Sequence, residues 1–167
     1  MTAVHIALLT VSDTRGPEED CSGDMLQKLA TEDGHIIVTR EILRDEVDEI
    51  EACLRTWIAN PEIDCIITTG GTGVTGRDVT PEAFEHVMEK RIDGFGELFR
   101  WLSYQKIGTS TMQSRAIGGV ANGTYLFALP GSTSAVKDGW EGILRSQLNI
   151  THRPCNLVEL MPRLKEK

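Results

Sequence analysis

Residues 66–83 read IITTGGTGVTGRDVTPEA and carry the clearest structural signals of the chain. The first four residues are apolar or β-branched, which is typical of a buried strand. Four glycines fall within the seven positions from Gly70 to Gly76, so the backbone there is unusually bare. Thr80 then predicts a helix cap, with Pro81 at the first helical position and Glu82 in the first turn, where the helix dipole favours an acid. The stretch therefore predicts a strand, a glycine loop and a helix in succession.

The rest of the chain alternates in the same way. Apolar runs predict strands, and apolar residues at helical spacing predict the helices between them. The predicted strands are Val4–Val11, Ile36–Leu43 and Ile63–Thr69, and the predicted helices are Ser22–Glu32, Val47–Asn60, Glu97–Tyr104 and a last helix from about Thr133 to Gln147. Ala116–Ala121 and Thr124–Leu129 flank Asn122-Gly123, a dipeptide typical of a two-residue hairpin turn. We expect the C-terminal tail, which contains Pro154 and Pro162, to be irregular.

This alternation determines the predicted fold class. Strands that are hydrophobic throughout and separated by helices indicate a parallel sheet covered on both faces. The late hairpin adds an antiparallel piece. We therefore predict an α/β fold, a three-layer sandwich around a mostly parallel sheet with one antiparallel hairpin strand, formed by residues 1–167 as a single domain. The aromatic residues Phe99, Trp101 and Tyr104 are expected in its core.

Charge and composition exclude several classes of protein. The chain has 17 basic and 25 acidic side chains, a net charge of -8, which argues against a nucleic-acid partner because such binding depends on Lys and Arg. No apolar run is long enough for a membrane helix, and the N-terminal MTAVHIALLTVSD lacks the basic region and cleavage site of a signal peptide. The four cysteines form no CxxC pair, so we expect buried thiols. These features predict a cytoplasmic protein with no membrane partner.

Four predicted loops share one edge of the sheet, because the carboxyl ends of parallel strands meet there. They are Ser12-Asp13, Asp45, Gly70–Asp78 and, after the hairpin, Pro130–Ser132. Glycines let backbone amides approach an anion, and carboxylates can hold Mg²⁺ between phosphate oxygens. The sequence therefore predicts a site for a phosphate and a metal. The alternative for the glycine loop is a tight turn that only reverses the chain.

Two familiar glycine motifs fit this loop poorly. Gly71, Gly73 and Gly76 satisfy the GxGxxG spacing of dinucleotide-binding folds. In those folds the motif follows the first strand and its last glycine lies in the helix, whereas the helix here is predicted to start near Thr80. An NAD-dependent oxidoreductase is therefore a remote alternative. The phosphate loop of P-loop proteins fits less well still, because it needs a lysine after its last glycine and no lysine occurs between residues 57 and 90.

The polar residues of these loops each have two interpretations. Asp45 and Asp78 together could hold Mg²⁺, but Asp45 could instead cap the following helix, and Asp78 could hold nearby amides of its own loop. Ser132 or Ser134 could likewise bind an anion at a helix N-terminus or simply cap that helix. The residue types alone leave these alternatives open.

Four stretches closely resemble a known family. They are TTGGTGVTGRDVTPEA (68–83), GFGELFR (94–100), GTSTMQSRA (108–116) and FALPGST (127–133), and they resemble the molybdenum cofactor biosynthesis family that includes the MoaB and MogA proteins. The resemblance extends from the end of the first predicted strand to the tail. The stretches GTSTMQSRA and RPCN (153–156) are more similar to the MoaB branch of the family.

The resemblance implies a molybdopterin adenylyltransferase, a nucleotidyltransferase whose substrates are ATP and molybdopterin and whose metal is Mg²⁺. Such an enzyme transfers AMP to the terminal phosphate of molybdopterin and releases pyrophosphate, ahead of molybdate insertion. The two aspartates associated with this activity fall on Asp45 and Asp78, which the resemblance implies to be catalytic and metal-binding. The implied substrate contacts are Ser12, Gly70, Gly71, Thr72, Gly73, Thr80, Pro81, Glu82, Glu97, Ser114, Arg115, Pro130, Gly131 and Ser132. Arg77 or Arg115 could neutralise phosphate, and the alternative for each is a surface role.

The resemblance also implies partners. Members of the family assemble as trimers or paired trimers, so we expect a homo-oligomer, either a trimer or a hexamer, that works with other proteins of the molybdenum cofactor pathway. The alternative within the same pathway is a non-catalytic protein that binds or carries molybdopterin.

Overall fold

The computed structural model describes residues 2–166 and contains a sheet of six strands in the spatial order β2-β1-β3-β6-β5-β4. The strands are β1 (His5–Val11), β2 (Ile36–Leu43), β3 (Cys65–Thr69), β4 (Lys90–Arg91), β5 (Ile117–Ala121) and β6 (Thr124–Leu129). Neighbours among β1, β2, β3 and β6 are parallel, whereas β5 pairs antiparallel with both β6 and β4. The predicted mostly parallel sheet with one antiparallel hairpin strand is confirmed.

The helices are α1 (Cys21–Glu32), α2 (Val47–Ile58), α3 (Thr80–Val87), α4 (Asp93–Ile107), α5 (Thr133–Gly139), α6 (Arg145–Gln147) and α7 (Leu157–Leu160). A π-helical segment, Trp140–Leu144, joins α5 to α6, so the last predicted helix is continuous but irregular in its middle. The tail is more ordered than predicted. There the side chain of Asn156 caps α7 by accepting a hydrogen bond from the amide of Glu159 at 3.0 Å.

Two hydrophobic clusters cover the two faces of the sheet. Alternate residues of a strand point to opposite faces, so Leu8 packs in one cluster and Leu9 in the other. The first cluster contains side chains from α1, α4, α5 and the π-helical segment, and the second contains side chains from α2 and α3. The three layers predicted from the sequence are therefore present. Within residues 2–166, no helix combines the length and hydrophobicity needed to cross a lipid bilayer.

The strand register aligns the ends of the parallel strands at one edge. Val11 pairs with Leu43, the last residue of β2, and Thr69, the last residue of β3, pairs with Leu129, the last residue of β6. The loops that follow these strands therefore leave the sheet side by side, as the sequence predicts. This edge is where the candidate site lies.

Two predictions about buried residues were wrong in part. Phe99 is buried, but Trp101 and Tyr104 are 60% and 54% exposed because they lie on the side of α4 that faces away from the sheet. Of the cysteines, Cys65 is buried, and burial raises the pKa of the half-buried Cys53 thiol to about 12. Cys21 and Cys155 are exposed, contrary to the expectation of four buried thiols.

Candidate functional site

A cleft of about 710 Å³ opens at the carboxyl edge of the sheet. The predicted site residues that line it are Ser12, Asp45, Gly70, Gly71, Thr72, Gly73, Asp78, Ser114, Pro130, Gly131 and Ser132. Helices α4 and α5 complete its wall through Lys106, Ile107 and Asp138. The fold therefore brings together residues that are more than a hundred positions apart in the sequence.

Five predicted site residues lie outside the lining of this cleft. Glu97 lines a separate groove of about 110 Å³ beside Arg91 and Arg100. Glu82 and Arg115 pair with each other beside the glycine loop. Thr80 and Pro81 are buried at the start of α3.

Thr80 does not cap α3, contrary to the sequence prediction. The residue at the cap position is Val79, and no side chain caps the helix there. Instead, the hydroxyl of Thr80 donates to the carbonyl oxygen of Gly70 at 2.9 Å, and its amide donates to the carbonyl oxygen of Gly71 at 3.0 Å. Thr80 thus fixes the base of the glycine loop to the helix that follows it.

The first two positions of the glycine loop have positive φ angles, which residues other than glycine rarely adopt. Gly70 has a φ of +99°, and a Cβ atom there would lie 2.1 Å from the carbonyl oxygen of Val11. Gly71 has a φ of +66°, and a Cβ atom there would lie 2.9 Å from a carboxylate oxygen of Asp45. Glycine is therefore required for the loop to pass this close to strand β1 and to Asp45.

The amides of this loop differ in their availability to a ligand. The amide of Gly70 donates to the carbonyl oxygen of Leu129 at 2.9 Å, so it continues the pairing of β3 with β6. The amides of Gly71 and Thr72 donate to no acceptor within residues 2–166. Since both residues line the cleft, their N–H groups are the ones that could bind an anion.

Asp45 is a buried carboxylate that accepts no hydrogen bond from a side chain within residues 2–166. Only 8% of the residue is exposed. Burial, followed by the charges of Asp13 and Asp78, raises its pKa above the ordinary value. It does not cap α2, because Glu46 holds the cap position and no side-chain hydrogen bond is made there. An acid in this environment is suited to a bound cation, which would offset the repulsion.

Asp78 has a different role within its loop. Its Oδ2 atom accepts hydrogen bonds from the amide of Thr75 at 2.9 Å and from the Thr75 hydroxyl at 2.7 Å. Burial alone would raise the pKa of Asp78, but the bonds from Thr75, the Gly73 amide and the charge of Arg115 together lower it. Asp78 therefore holds its own loop, as one of the two sequence interpretations predicts, while its carboxylate still borders the cleft.

Arg77 is engaged by carboxylates on two other loops. Its guanidinium donates to both carboxylate oxygens of Asp13, at 2.8 and 3.0 Å, and to Glu46 at 2.9 Å. Asp13 in turn accepts a hydrogen bond from the amide of Asp45 at 3.1 Å. These contacts tie three loops of the sheet edge together. Arg77 is therefore held by acids and is not free to neutralise phosphate in this arrangement.

Two other cations line the cleft, and sequence reasoning missed both. Arg15 donates to the carbonyl oxygen of Gly131 at 2.8 Å and forms no ion pair with an acid within residues 2–166. Lys106 reaches the cleft from α4, where it pairs with Asp138. Arg15 lies two residues beyond Asp13 and could have been proposed from its position. Lys106 lies in a helix, and no local signal distinguishes it from a surface lysine.

Two of the serines that line the cleft, Ser114 and Ser132, differ in their hydrogen bonding. The Oγ atom of Ser132 accepts a hydrogen bond from the amide of Ala135 at 3.2 Å, so this side chain caps α5. The Oγ atom of Ser114 is buried and has no hydrogen-bond partner within residues 2–166. A buried hydroxyl without a partner is costly unless a ligand or water completes it. Ser114 thus indicates that the cleft accepts a polar group.

The acidic residues fit a metal only of a particular kind. Within the part of the chain described, no group of three or more His, Cys, Asp and Glu side chains is arranged to hold a metal ion. Asp45 and Asp78 offer carboxylate oxygens alone. This set fits Mg²⁺, which is commonly bound by one or two carboxylates and takes its other ligands from water and substrate phosphates.

Comparison with known proteins agrees with this architecture. A family model described as "Probable molybdopterin binding domain" matches residues 7–150. Molybdenum cofactor biosynthesis protein B of Escherichia coli (strain K12) is 47% identical over 162 residues, which cover 97% of this chain and 94% of that protein. The protein of the same name from Staphylococcus epidermidis is 42% identical over 150 residues, covering 87% of this chain and 85% of that protein.

Solved structures of molybdenum cofactor biosynthesis proteins are also similar to this chain. The crystal structure of a molybdenum cofactor biosynthesis protein B superposes with a TM-score of 0.88 at 36% identity, over 99% of this chain and 98% of that one. The tungsten cofactor synthesizing protein MoaB from Pyrococcus furiosus superposes with a TM-score of 0.82 at 31% identity, over 99% of both chains. The chain therefore belongs to the MoaB/MogA family of molybdenum cofactor biosynthesis proteins.

Proposed function

We propose that this protein is a molybdopterin adenylyltransferase, which transfers AMP from Mg-ATP to the terminal phosphate of molybdopterin. The single observation that carries the proposal is the convergence of Asp45, Asp78 and the glycine loop on one cleft. Free amides, cations and carboxylates in one place suit a ligand that combines phosphates with a metal. Family membership supplies the pterin, since the matching family model is named for molybdopterin binding.

In the proposed reaction, an oxygen of the molybdopterin phosphate attacks the α-phosphorus of ATP. A new phosphorus–oxygen bond forms there, and the bond from the α-phosphorus to the oxygen bridging to the β-phosphorus breaks. That oxygen keeps the bonding electrons and leaves with pyrophosphate. The protein supplies no covalent intermediate, so its contribution is positioning and electrostatic stabilisation.

The residues of the cleft divide this work. The amides of Gly71 and Thr72 would bind phosphate oxygens, and Arg15, which forms no ion pair within residues 2–166, would offset their charge. Asp45 and Asp78 would hold Mg²⁺, which supplies positive charge next to the leaving pyrophosphate. Ser114 would complete its hydrogen bonding with the pterin substrate. Arg77 and Arg115 are excluded from direct phosphate contact here, because both are already bound by protein acceptors.

A second candidate function is a non-catalytic carrier of molybdopterin in the same pathway. The observation in its favour is that Asp78 already accepts two hydrogen bonds from Thr75, a structural role that needs no metal. The remote oxidoreductase alternative gains no support. Gly76, the last glycine of its motif, has open space around it and lies ahead of α3, whereas dinucleotide folds place this glycine inside the helix.

The test is an assay of pyrophosphate release with Mg-ATP and molybdopterin, with the adenylylated pterin identified by mass spectrometry. We expect turnover by the wild type and a loss of about 100-fold or more in Asp45→Asn and Asp78→Asn, as for loss of one strong electrostatic contact in an active site. Asp48→Asn is the matched control, since Asp48 is an exposed aspartate three residues beyond Asp45. Tight pterin binding without any pyrophosphate release would identify a carrier instead.

We also propose that the protein is a homo-oligomer. Trp101 and Tyr104 are neighbours about one turn apart on α4, Leu98 and Ile107 flank them along a stripe that winds around half of the helix, and all four are exposed. A helix face exposed to solvent is normally polar, so this α4 outer face (these four residues) fits burial against a second copy of the chain. The proposed location is the cytoplasm, where the four free cysteines, two of them exposed, would stay reduced.

A further inference from the structure

Arg115 makes an unusual set of contacts with the glycine loop. Its amide donates to the carbonyl oxygen of Thr72 at 2.8 Å, and its Nε atom donates to that of Gly73 at 2.6 Å. Its Nη2 atom donates to the carbonyl oxygen of Asp78 at 2.7 Å. One residue, 37 positions away from Asp78 in the sequence, therefore binds the loop backbone at both ends of residues 73–78.

Glu82 completes this arrangement. Its Oε1 atom pairs with Nη1 of Arg115, and its Oε2 atom accepts from Nη2 at 3.3 Å. Glu82 lies in the first turn of α3, just beyond the loop, so the ion pair ties the loop to the helix that follows it. Arginine suits this position because its planar fork donates in several fixed directions, which the point charge of lysine cannot do.

These contacts leave Arg115 little capacity to bind a substrate. A guanidinium has five N–H donors. Four of them are used here, by the Gly73 carbonyl, the Asp78 carbonyl and the two oxygens of Glu82. Neither Arg115 nor Glu82 lines the cleft.

The position of Asp78 depends on the segment that Arg115 holds. The carboxylate of Asp78 accepts from Thr75 in the middle of that segment, while Arg115 holds the Asp78 carbonyl and the Gly73 carbonyl at its ends. We propose that Arg115 and Glu82 are positioning residues that hold the glycine loop closed, so that Asp78 stays beside Asp45 at the cleft. The catalytic consequence rests on the proposed function, whereas the structural consequence does not.

Hydrogen–deuterium exchange of the full-length protein tests the structural consequence directly. We expect the amides of residues 70–79 to exchange about tenfold faster or more in Arg115→Lys, with a smaller increase in Glu82→Gln, whose amide oxygen can still accept from Arg115. Core amides of β1 and β3 should exchange as in the wild type. Arg91→Lys is the matched control, because Arg91 pairs with Glu85 on the same helix α3 but does not contact the loop.

Kinetics then separate positioning from substrate binding. We expect Arg115→Lys to lower kcat by about 10- to 100-fold with less than about a threefold change in the KM for Mg-ATP, since a misplaced catalytic group costs about this much. Unchanged exchange of residues 70–79 together with a KM raised tenfold at normal kcat would overturn the proposal and make Arg115 a phosphate contact. If the wild type releases no pyrophosphate, the exchange result still decides whether Arg115 holds the loop.

Discussion

Gly70 is the position of the glycine loop where the absence of a side chain matters most. Its φ of +99° is unfavourable for any other residue, and an added Cβ would meet the Val11 carbonyl oxygen at 2.1 Å. Because that oxygen belongs to the backbone of a central strand, it cannot move away cheaply. We expect Gly70→Ala to lower the free energy of unfolding by about 2 kcal/mol or more, measured by urea denaturation.

Gly76 provides the matched control for this prediction. It lies in the same loop, its φ is outside the left-handed region, and no atom of residues 2–166 lies within 4 Å of an added Cβ. We therefore expect Gly76→Ala to change stability by no more than about 0.5 kcal/mol. Equal effects of the two substitutions would contradict the assignment of distinct roles to the two glycines.

The two aspartates of the cleft should affect stability with opposite signs. The pKa of Asp45 is raised by burial and by Asp13 and Asp78, so the folded protein binds this proton more tightly than the unfolded chain does. Ionised Asp45 therefore costs stability at neutral pH, and the cost disappears as the pH falls below the ordinary value of 3.8. Asp45→Asn should be more stable than the wild type at pH 7.5, with a gain that shrinks towards pH 4.

The ionised carboxylate of Asp78 should have the opposite effect on stability. Its pKa is lowered, so its ionised form contributes stability that is present above the ordinary value and is lost as the pH falls through the lowered one. Asp78→Asn should therefore be less stable than the wild type at pH 7.5. Denaturation curves between pH 7.5 and 4, with EDTA present to remove cations, measure both variants. A change of the same sign in both would contradict the assigned electrostatic roles.

The positions of the strands along the sequence were predictable because the residue patterns that indicate them are local. The parallel strands β1, β3 and β6 are mainly apolar or β-branched. The hairpin turn is set by Asn122 and Gly123, whose φ angles of 47° and 83° match the dipeptide signal. The loops of the candidate site follow from the same reasoning. Once parallel strands are assigned, the positions of Ser12, Asp45 and the glycine loop at one edge are fixed by geometry.

Helix α4 contains residues whose burial could not be predicted from the sequence. Phe95 and Phe99 pack against the sheet, while Trp101 and Tyr104 point away from it. An apolar residue at helical spacing has the same appearance in the sequence whether it covers the core of its own chain or another surface. The roles of Lys106 and Arg115 were hidden for a related reason, since each depends on contacts with residues more than 30 positions away.

Considered as a whole, the molecule places an apolar surface next to its cleft. Ile107 belongs both to the α4 outer face and to the cleft lining, so a second copy bound at this face would lie beside the site. The chain carries a net charge of -8, so association must overcome charge repulsion. Large aromatic side chains such as Trp101 and Tyr104 are the kind that supply most of the binding energy at interfaces.

This arrangement leads to a prediction about assembly. We expect the wild type to sediment with a mass of three or six times 18.4 kDa, and Trp101→Glu to sediment as the 18.4 kDa chain, because a carboxylate cannot be buried at an apolar contact without a partner. Leu160→Glu is the control, since Leu160 is an exposed apolar residue outside α4. Unfolding curves distinguish dissociation from misfolding, because Trp101 makes few core contacts and its replacement should leave the folded chain intact. A wild type that stays monomeric at micromolar concentration, or a Trp101→Glu variant that assembles normally, would show that the α4 outer face has another use.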